Sequence, residues 1–257
     1  MSVALDPKQD DPSHSHQAPH EHPSQQPTLL RVRDLECGYN KRTIVGPLSF
    51  HLHESTFMLI EGGNGVGKST LIKTLIGLLP PVSGSCEWEV APQKLRFVPQ
   101  TRTLDPMLPA TVFDVLSTGL HRGSGLGSLR INIDRDQLTK VLQTVDMEDF
   151  ANHLFRELSE GQKQLILLAR ALLGEPRVLI LDEPAASMDP VHEAETIDLL
   201  HEIQVTSGVT IMMIAHGSPP ARRASTRIMT VERGGSIHIE ECGDDCADIP
   251  PSQLSKD

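Results

Sequence analysis

Apolar positions along this chain follow two spacings. "FMLIEG", "RVLILDE" and "VTIMMIAH" are short continuous apolar runs ending in polar residues, and they predict buried strands; "KLRFVPQ" reads the same way. "TLLRVRDLEC" and "GPLSFHLHE" predict half-buried antiparallel strands. "STLIKTLIGLL" sets Leu71, Ile72, Leu75, Ile76 and Leu79 on one helical stripe, which Gly77 weakens slightly. In "ELSEGQKQLILLARALLGEP" the pair Ser159 and Gln162 forms a capping box that starts a helix. Its buried face is Leu165, Leu168, Ala169 and Leu172, and Gly174 and Pro176 end it. "RIMTVERGGSIHIE" predicts a late hairpin turning at Gly234 and Gly235. There is no internal repeat. Strands that end in polar residues and feed helices predict an open α/β sheet, a class that binds its ligands at the carboxyl ends of the strands.

One such strand end carries recognisable chemistry. Gly62, Gly67, Lys68 and Ser69 fit the pattern G-x-x-x-x-G-K-[ST] once in the chain, between a predicted strand and a predicted helix. The glycines let consecutive backbone N–H groups curl around a β-phosphate, and the helix that follows adds the positive end of its dipole. Lys68 supplies a point charge to the β- and γ-phosphates, and the Ser69 hydroxyl is a ligand for Mg²⁺. The second half of the site is "VLILDEP", where a buried strand carries Asp182 to its end to hold a water on Mg²⁺ and sets Glu183 beside it to polarise an attacking water. The N-terminus of the capped helix, with a hydroxyl and a glycine, is also able to receive a phosphate.

Composition narrows the setting. Net charge is −11 over 257 residues, yet the acidity belongs to the tails: residues 1–28 hold one Lys against four acids, and residues 240–257 one Lys against six. The nearly neutral middle offers no basic field for nucleic acid. Cys37, Cys86, Cys242 and Cys246 are too few and too scattered for a disulfide framework, which indicates a reducing compartment. No run approaches the roughly 18 apolar residues of a membrane span, and the N-terminus does not read as a secretion signal, so a membrane role must come through a partner. Residues 1–28 and 241–257 are expected to be disordered tails. His14, His16, His20 and His22 in the first tail are able to chelate zinc or nickel, but the plain reading is a solvated tail; Cys242 and Cys246, with His238 upstream, read as incidental free thiols.

Together, "GGNGVGKST", "VPQ", "LSEGQ", "LILDEP", "SMD" and "AH" resemble, in order, the motifs of the nucleotide-binding subunit of an ABC transporter, over residues 29 to about 240. The resemblance implies a P-loop NTPase: a mixed α/β sheet core, an N-terminal antiparallel β subdomain and an inserted α-helical subdomain at about 101–168. It implies that Gly62, Gly63, Asn64, Gly65, Val66, Gly67, Lys68, Ser69 and Thr70 of one copy face Ser159, Gly161 and Gln162 of a second, with two ATP molecules sandwiched head to tail. By the same resemblance Tyr39 stacks on adenine, and Gln100 touches Mg²⁺ together with Ser69 and Asp182. Asp189 crosses the dimer, and it also reads directly as a helix N-cap before Pro190. His216 contacts the γ-phosphate, and Glu183 is the catalytic base. The implied partners are a second copy of the chain, a polytopic membrane permease and an extracytoplasmic substrate-binding protein, which places the chain peripherally on the cytoplasmic face of the inner membrane.

Two departures stand out. Glu160 occupies a place where the family usually has Gly, and a carboxylate there would repel triphosphate unless it turns outward; activity is expected to survive. "AHGSPPARRA" lacks the usual acidic residue after the histidine, which alters local hydrogen bonding but removes no catalytic group. "LPATVFDVL" is similar to the zinc and manganese importer subgroup, so import of one of those ions is the expected task, with another small solute or export as the alternative. A chromosome-type ATPase of the same superfamily would separate the glycine loop from "LSEGQ" by a long coiled coil, which is missing from this sequence. A catalytically silent module would need Lys68, Asp182, Glu183 or His216 to be broken, and all four are present.

Overall fold

The computed structural model describes residues 26–100, 109–120 and 135–242. The histidine-rich segment and Cys246 lie outside the described residues. In chain order the elements are β1 (Thr28–Tyr39), β2 (Arg42–His53), β3 (Phe57–Gly62), α1 (Lys68–Leu75), β4 (Ser83–Trp88), β5 (Leu95–Val98), α2 (Val112–Ser117), α3 (Arg135–Thr144) and α4 (Glu160–Leu172). They continue with β6 (Val178–Asp182), α5 (Pro190–Ser207), β7 (Thr210–Ile214), α6 (Pro219–Ala224), β8 (Arg227–Val231) and β9 (Ile237–Glu241).

Two sheets form. A three-stranded antiparallel sheet runs β2-β1-β4, and a six-stranded sheet runs β5-β6-β7-β3-β8-β9. In the larger sheet every pairing is parallel except β8 with β9, the hairpin turning at Gly234 and Gly235. The parallel register sets Ile60 and Asp182 both beside Ile214, and Val98 beside Leu181, so β3, β5, β6 and β7 end along one edge.

The central strands are apolar on both faces because both faces are covered. Phe57 and Leu59, Leu179 and Leu181, and Ile211 and Met213 point into a core shared with α2–α6. Their neighbours Met58 and Ile60, Val178 and Ile180, and Met212 and Ile214 point the other way, into a core shared with α1 and the small sheet. The period of two explains why a run such as "FMLI" admits no polar residue.

Three elements depart from the sequence reading. The helix after the glycine loop stops at Leu75 instead of running on through Leu79: the Trp88 indole donates to the Leu75 carbonyl at 2.7 Å, and Gly77 takes a left-handed φ of 77°. Ile76 and Leu79 are consequently only half-buried. The strand in "KLRFVPQ" is not buried throughout. It forms the sheet edge, and of its residues only Val98 is fully covered. On α4, Leu168 and Ala169 are buried as expected, but Leu165 and Leu172 are half-buried and Ile166 and Leu167 take their places.

A buried ion pair joins the base of the glycine loop to α6. Arg222 donates from Nε to Glu61 Oε2 at 2.9 Å and from Nη2 to Glu61 Oε1, and both residues are under a tenth exposed. Removing one partner strands a charge in the interior. Arg222→Met is therefore expected to lower unfolding free energy by about 3–5 kcal/mol, measured by urea denaturation, and the double change with Glu61→Leu is expected to recover most of the loss.

Candidate functional site

The glycine loop spans the end of β3 and the start of α1. Gly67 adopts φ 108° and lies against β2: a Cβ there would sit 2.3 Å from Val45 Cγ2. Gly62 has φ 144°, and a Cβ there would meet the Val231 carbonyl oxygen at 2.2 Å. Larger residues would push the loop off the sheet. No side chain caps α1 and no acid sits in its first turn, which leaves its first N–H groups directed at the loop's mouth.

Lys68 folds back over the loop and donates from Nζ to the carbonyls of Gly62 (2.8 Å) and Gly63 (2.9 Å). Burial lowers its pKa from the usual lysine range, while the charges of Glu183 and Asp182 oppose that shift. Ser69 Oγ donates to Asp182 Oδ1 at 3.4 Å. Burial and then the adjacent Glu183 charge raise Asp182 above the ordinary carboxylate range, against the Ser69 hydroxyl, Lys73 and Lys68. A hydroxyl beside a carboxylate is a hard oxygen donor set of the kind that suits Mg²⁺, which takes one or two carboxylates and fills its shell with water and phosphate.

Glu183 follows directly after β6 with a left-handed φ of 51°, uncommon for a residue with a long side chain. Its N–H donates to the Ile214 carbonyl at 3.2 Å, and its Oε2 accepts from Gln100 Nε2 at 3.0 Å. Glu183 and His216 line one cavity of about 220 Å³, together with Glu193 of α5 and the end of β7. Lys68, Ser69, Asp182, Glu183, Gln100 and His216, far apart in sequence, thus gather at the carboxyl ends of β3, β5, β6 and β7. Tyr39 closes β1 and is 44% exposed; the β1–β2 turn beside it bends at Asn40 and Lys41, both with positive φ.

Ser159, Gly161 and Gln162 lie apart from the glycine loop, although Gly161 also borders a small cavity with Gln100 and Glu183. The Ser159 hydroxyl accepts from Gln162 N–H and the Gln162 side chain accepts from Ser159 N–H, the reciprocal cap that the sequence spells. With Asp189 and Met188 they line an open groove of about 910 Å³ in which no glycine-loop residue takes part. Asp189 caps α5 through Val191 and His192 N–H groups, and its Oδ2 accepts from His192 Nδ1 at 2.5 Å. That hydrogen bond holds Asp189 below the usual carboxylate range and raises His192. The fold therefore presents a phosphate cradle with its carboxylates at one opening and a capped helix terminus at another.

The Glu160 carboxylate pairs with Lys163 Nζ at 2.8 Å, one turn along α4. The ammonium offsets its charge, so the repulsion feared for this position is muted. Glu160→Gly is expected to change the rate of ATP turnover by no more than about fivefold, since a half-exposed pair is worth at most about 1 kcal/mol; steady-state phosphate release measures it. Lys163 and His192 escaped the sequence reading although each lies three residues from its partner, a spacing that marks helical neighbours. Glu61 with Arg222, 161 residues apart, left no such signal.

Known proteins resemble the chain over most of its length. Residues 45–186 match the family described as ABC transporter. The chain is 31% identical over 205 residues to the zinc import ATP-binding protein ZnuC of Hydrogenovibrio crunogenus, covering 80% of this chain and 79% of that protein. It is 31% identical over 222 residues to the zinc uptake system ATP-binding protein ZurA of Listeria innocua, covering 82% and 86%. The structure of cbiO1 from Clostridium perfringens, part of the ABC transporter complex cbiONQ, superposes with a TM-score of 0.70 at 27% identity, covering 83% and 88%.

Proposed function

The chain belongs to the ABC transporter family and is an ATP-hydrolysing subunit of such a transporter; from that premise we propose that its turnover drives the import of a divalent metal ion, zinc or manganese. The observation that carries the ATPase is the convergence of Lys68, Ser69, Asp182, Glu183 and Gln100 on one sheet edge. The ion is argued from the relatives named for zinc import and uptake.

On this reading the N–H groups of residues 62–70 and the Lys68 ammonium hold the β- and γ-phosphates, and binding draws Lys68 away from the carbonyls of Gly62 and Gly63. Ser69, Asp182 and Gln100 would hold Mg²⁺, which when bound would neutralise charge on the phosphates. Glu183 accepts a proton from the attacking water while Gln100 orients its carboxylate, and His216 stands ready for the γ-phosphate. Tyr39 offers its exposed ring to adenine. Ser159, Gly161, Gln162 and Asp189 open on a groove apart from the cradle, so they serve the nucleotide of a second copy, and the working unit is a homodimer. The helical subdomain, of which residues 109–120 and 135–168 are described, meets a polytopic permease, which an extracytoplasmic binding protein supplies. Among the described residues no helix is long and apolar enough to cross a membrane, and the permease holds the chain at the cytoplasmic face of the inner membrane.

Uptake of radiolabelled zinc and manganese tests the cargo, in a strain deleted for this chain and complemented with wild type or Glu183→Gln. Loss of uptake of one metal, restored only by wild type, is the expected result; uptake of both metals unaffected by the deletion rules out this cargo.

A further inference from the structure

Gln164 is 4% exposed, and among the described residues its Nε2 has no hydrogen-bond partner. It lies on α4, one turn beyond Glu160. A buried amide without a partner costs about 1–3 kcal/mol, so its retention calls for a physical cause. The side chain borders a cavity of about 10 Å³ whose wall also includes Gln100, Glu183, Ser187 and Gly161. A space of that size accepts one water, provided that polar partners surround it. Gln164, Glu183 and Gln100 all line it, the last two hydrogen-bonded to each other at 3.0 Å, so an amide donor and a carboxylate acceptor are available to a water there.

We propose that Gln164 is a positioning residue for hydrolysis, holding the Glu183–Gln100 pair through a single water seated in this cavity. The inference rests on the reading of Glu183 as base. Its consequence is mechanical: the orientation of the base follows helix α4, whose first turn carries Ser159 and Gly161. A movement of that helix is transmitted to Glu183 in the same chain, in addition to anything a second copy contributes.

Gln164→Met keeps the volume and removes the amide. In the full-length chain kcat for ATP is expected to fall about 10- to 100-fold, because a small misplacement of a catalytic group costs rates of that order. KM for ATP should stay unchanged, and the melting temperature should stay near that of wild type, since Met keeps the volume and gives up only one water-mediated hydrogen bond.

Wild-type kcat in Gln164→Met, or a loss of kcat that merely tracks a loss of melting temperature, overturns the proposal. Glu183→Gln is assayed alongside. If it is inactive while Gln164→Met is fully active, only the water bridge falls; if it turns over normally, the base reading falls and this inference with it.

Discussion

A Glu183→Gln variant is expected to bind ATP with wild-type affinity and to hydrolyse it about 10²- to 10⁴-fold more slowly, the range that a positioned general base contributes. The amide has the shape of the carboxylate and keeps a hydrogen-bonding group toward Gln100, now 3.0 Å from Glu183 Oε2, but it does not take up a proton at neutral pH. It also removes one of the two adjacent negative charges at the end of β6. Repulsion of triphosphate therefore falls, and binding should hold or improve. With hydrolysis blocked, the sandwich of two copies should persist, so scattering in the presence of ATP should report dimers that wild type forms only transiently. The measurements are single-turnover phosphate release, nucleotide titration and solution scattering. Normal turnover would transfer the role of base to another group at that edge, and His216, which lines the same cavity, would be the first to test.

What the sequence reveals of this site is what is local. The glycine loop is nine contiguous residues, 62–70, and its strand-loop-helix setting follows from the apolar runs on either side. The Ser159 cap closes within three residues, and the Gly234–Gly235 hairpin within a few more. Tertiary reach sets the remainder. α1 ends early because Trp88, 13 residues beyond Leu75, takes its carbonyl. β5 reads as a buried strand by composition, yet it has β6 on one side only, and a pattern of residues does not reveal which strand is outermost. Glu61 looks like the polar end of an apolar run; that it is buried against Arg222 depends on α6 folding back over β3. Gln164 is hidden for the opposite reason. Its helix was foreseen, but at that position the pattern indicates only a polar residue beside a buried face, and the missing hydrogen bond appears when β5, β6 and α4 meet.

Lys68→Ala is expected to weaken ATP binding about 10- to 100-fold, since a charged hydrogen bond to phosphate is worth about 1.5–3 kcal/mol. The Lys68 ammonium is buried and donates to the carbonyls of Gly62 and Gly63, 2.8 and 2.9 Å away. Burial lowers its pKa, so the protein already bears a cost for holding this charge out of water. Triphosphate offers the ammonium charged acceptors in place of two carbonyls, and the gain appears as affinity. Truncation removes that gain and leaves Asp182 and Glu183 facing the incoming phosphates without the cation that offsets them. It also relieves the desolvation of the free state, so the melting temperature without nucleotide should change little while the rise caused by ATP shrinks. Those two trends separate a lost ligand contact from a damaged fold. Calorimetric titration with a non-hydrolysable analogue measures the affinity, and a dissociation constant equal to wild type would mean that the phosphates do not lie where residues 62–70 place them.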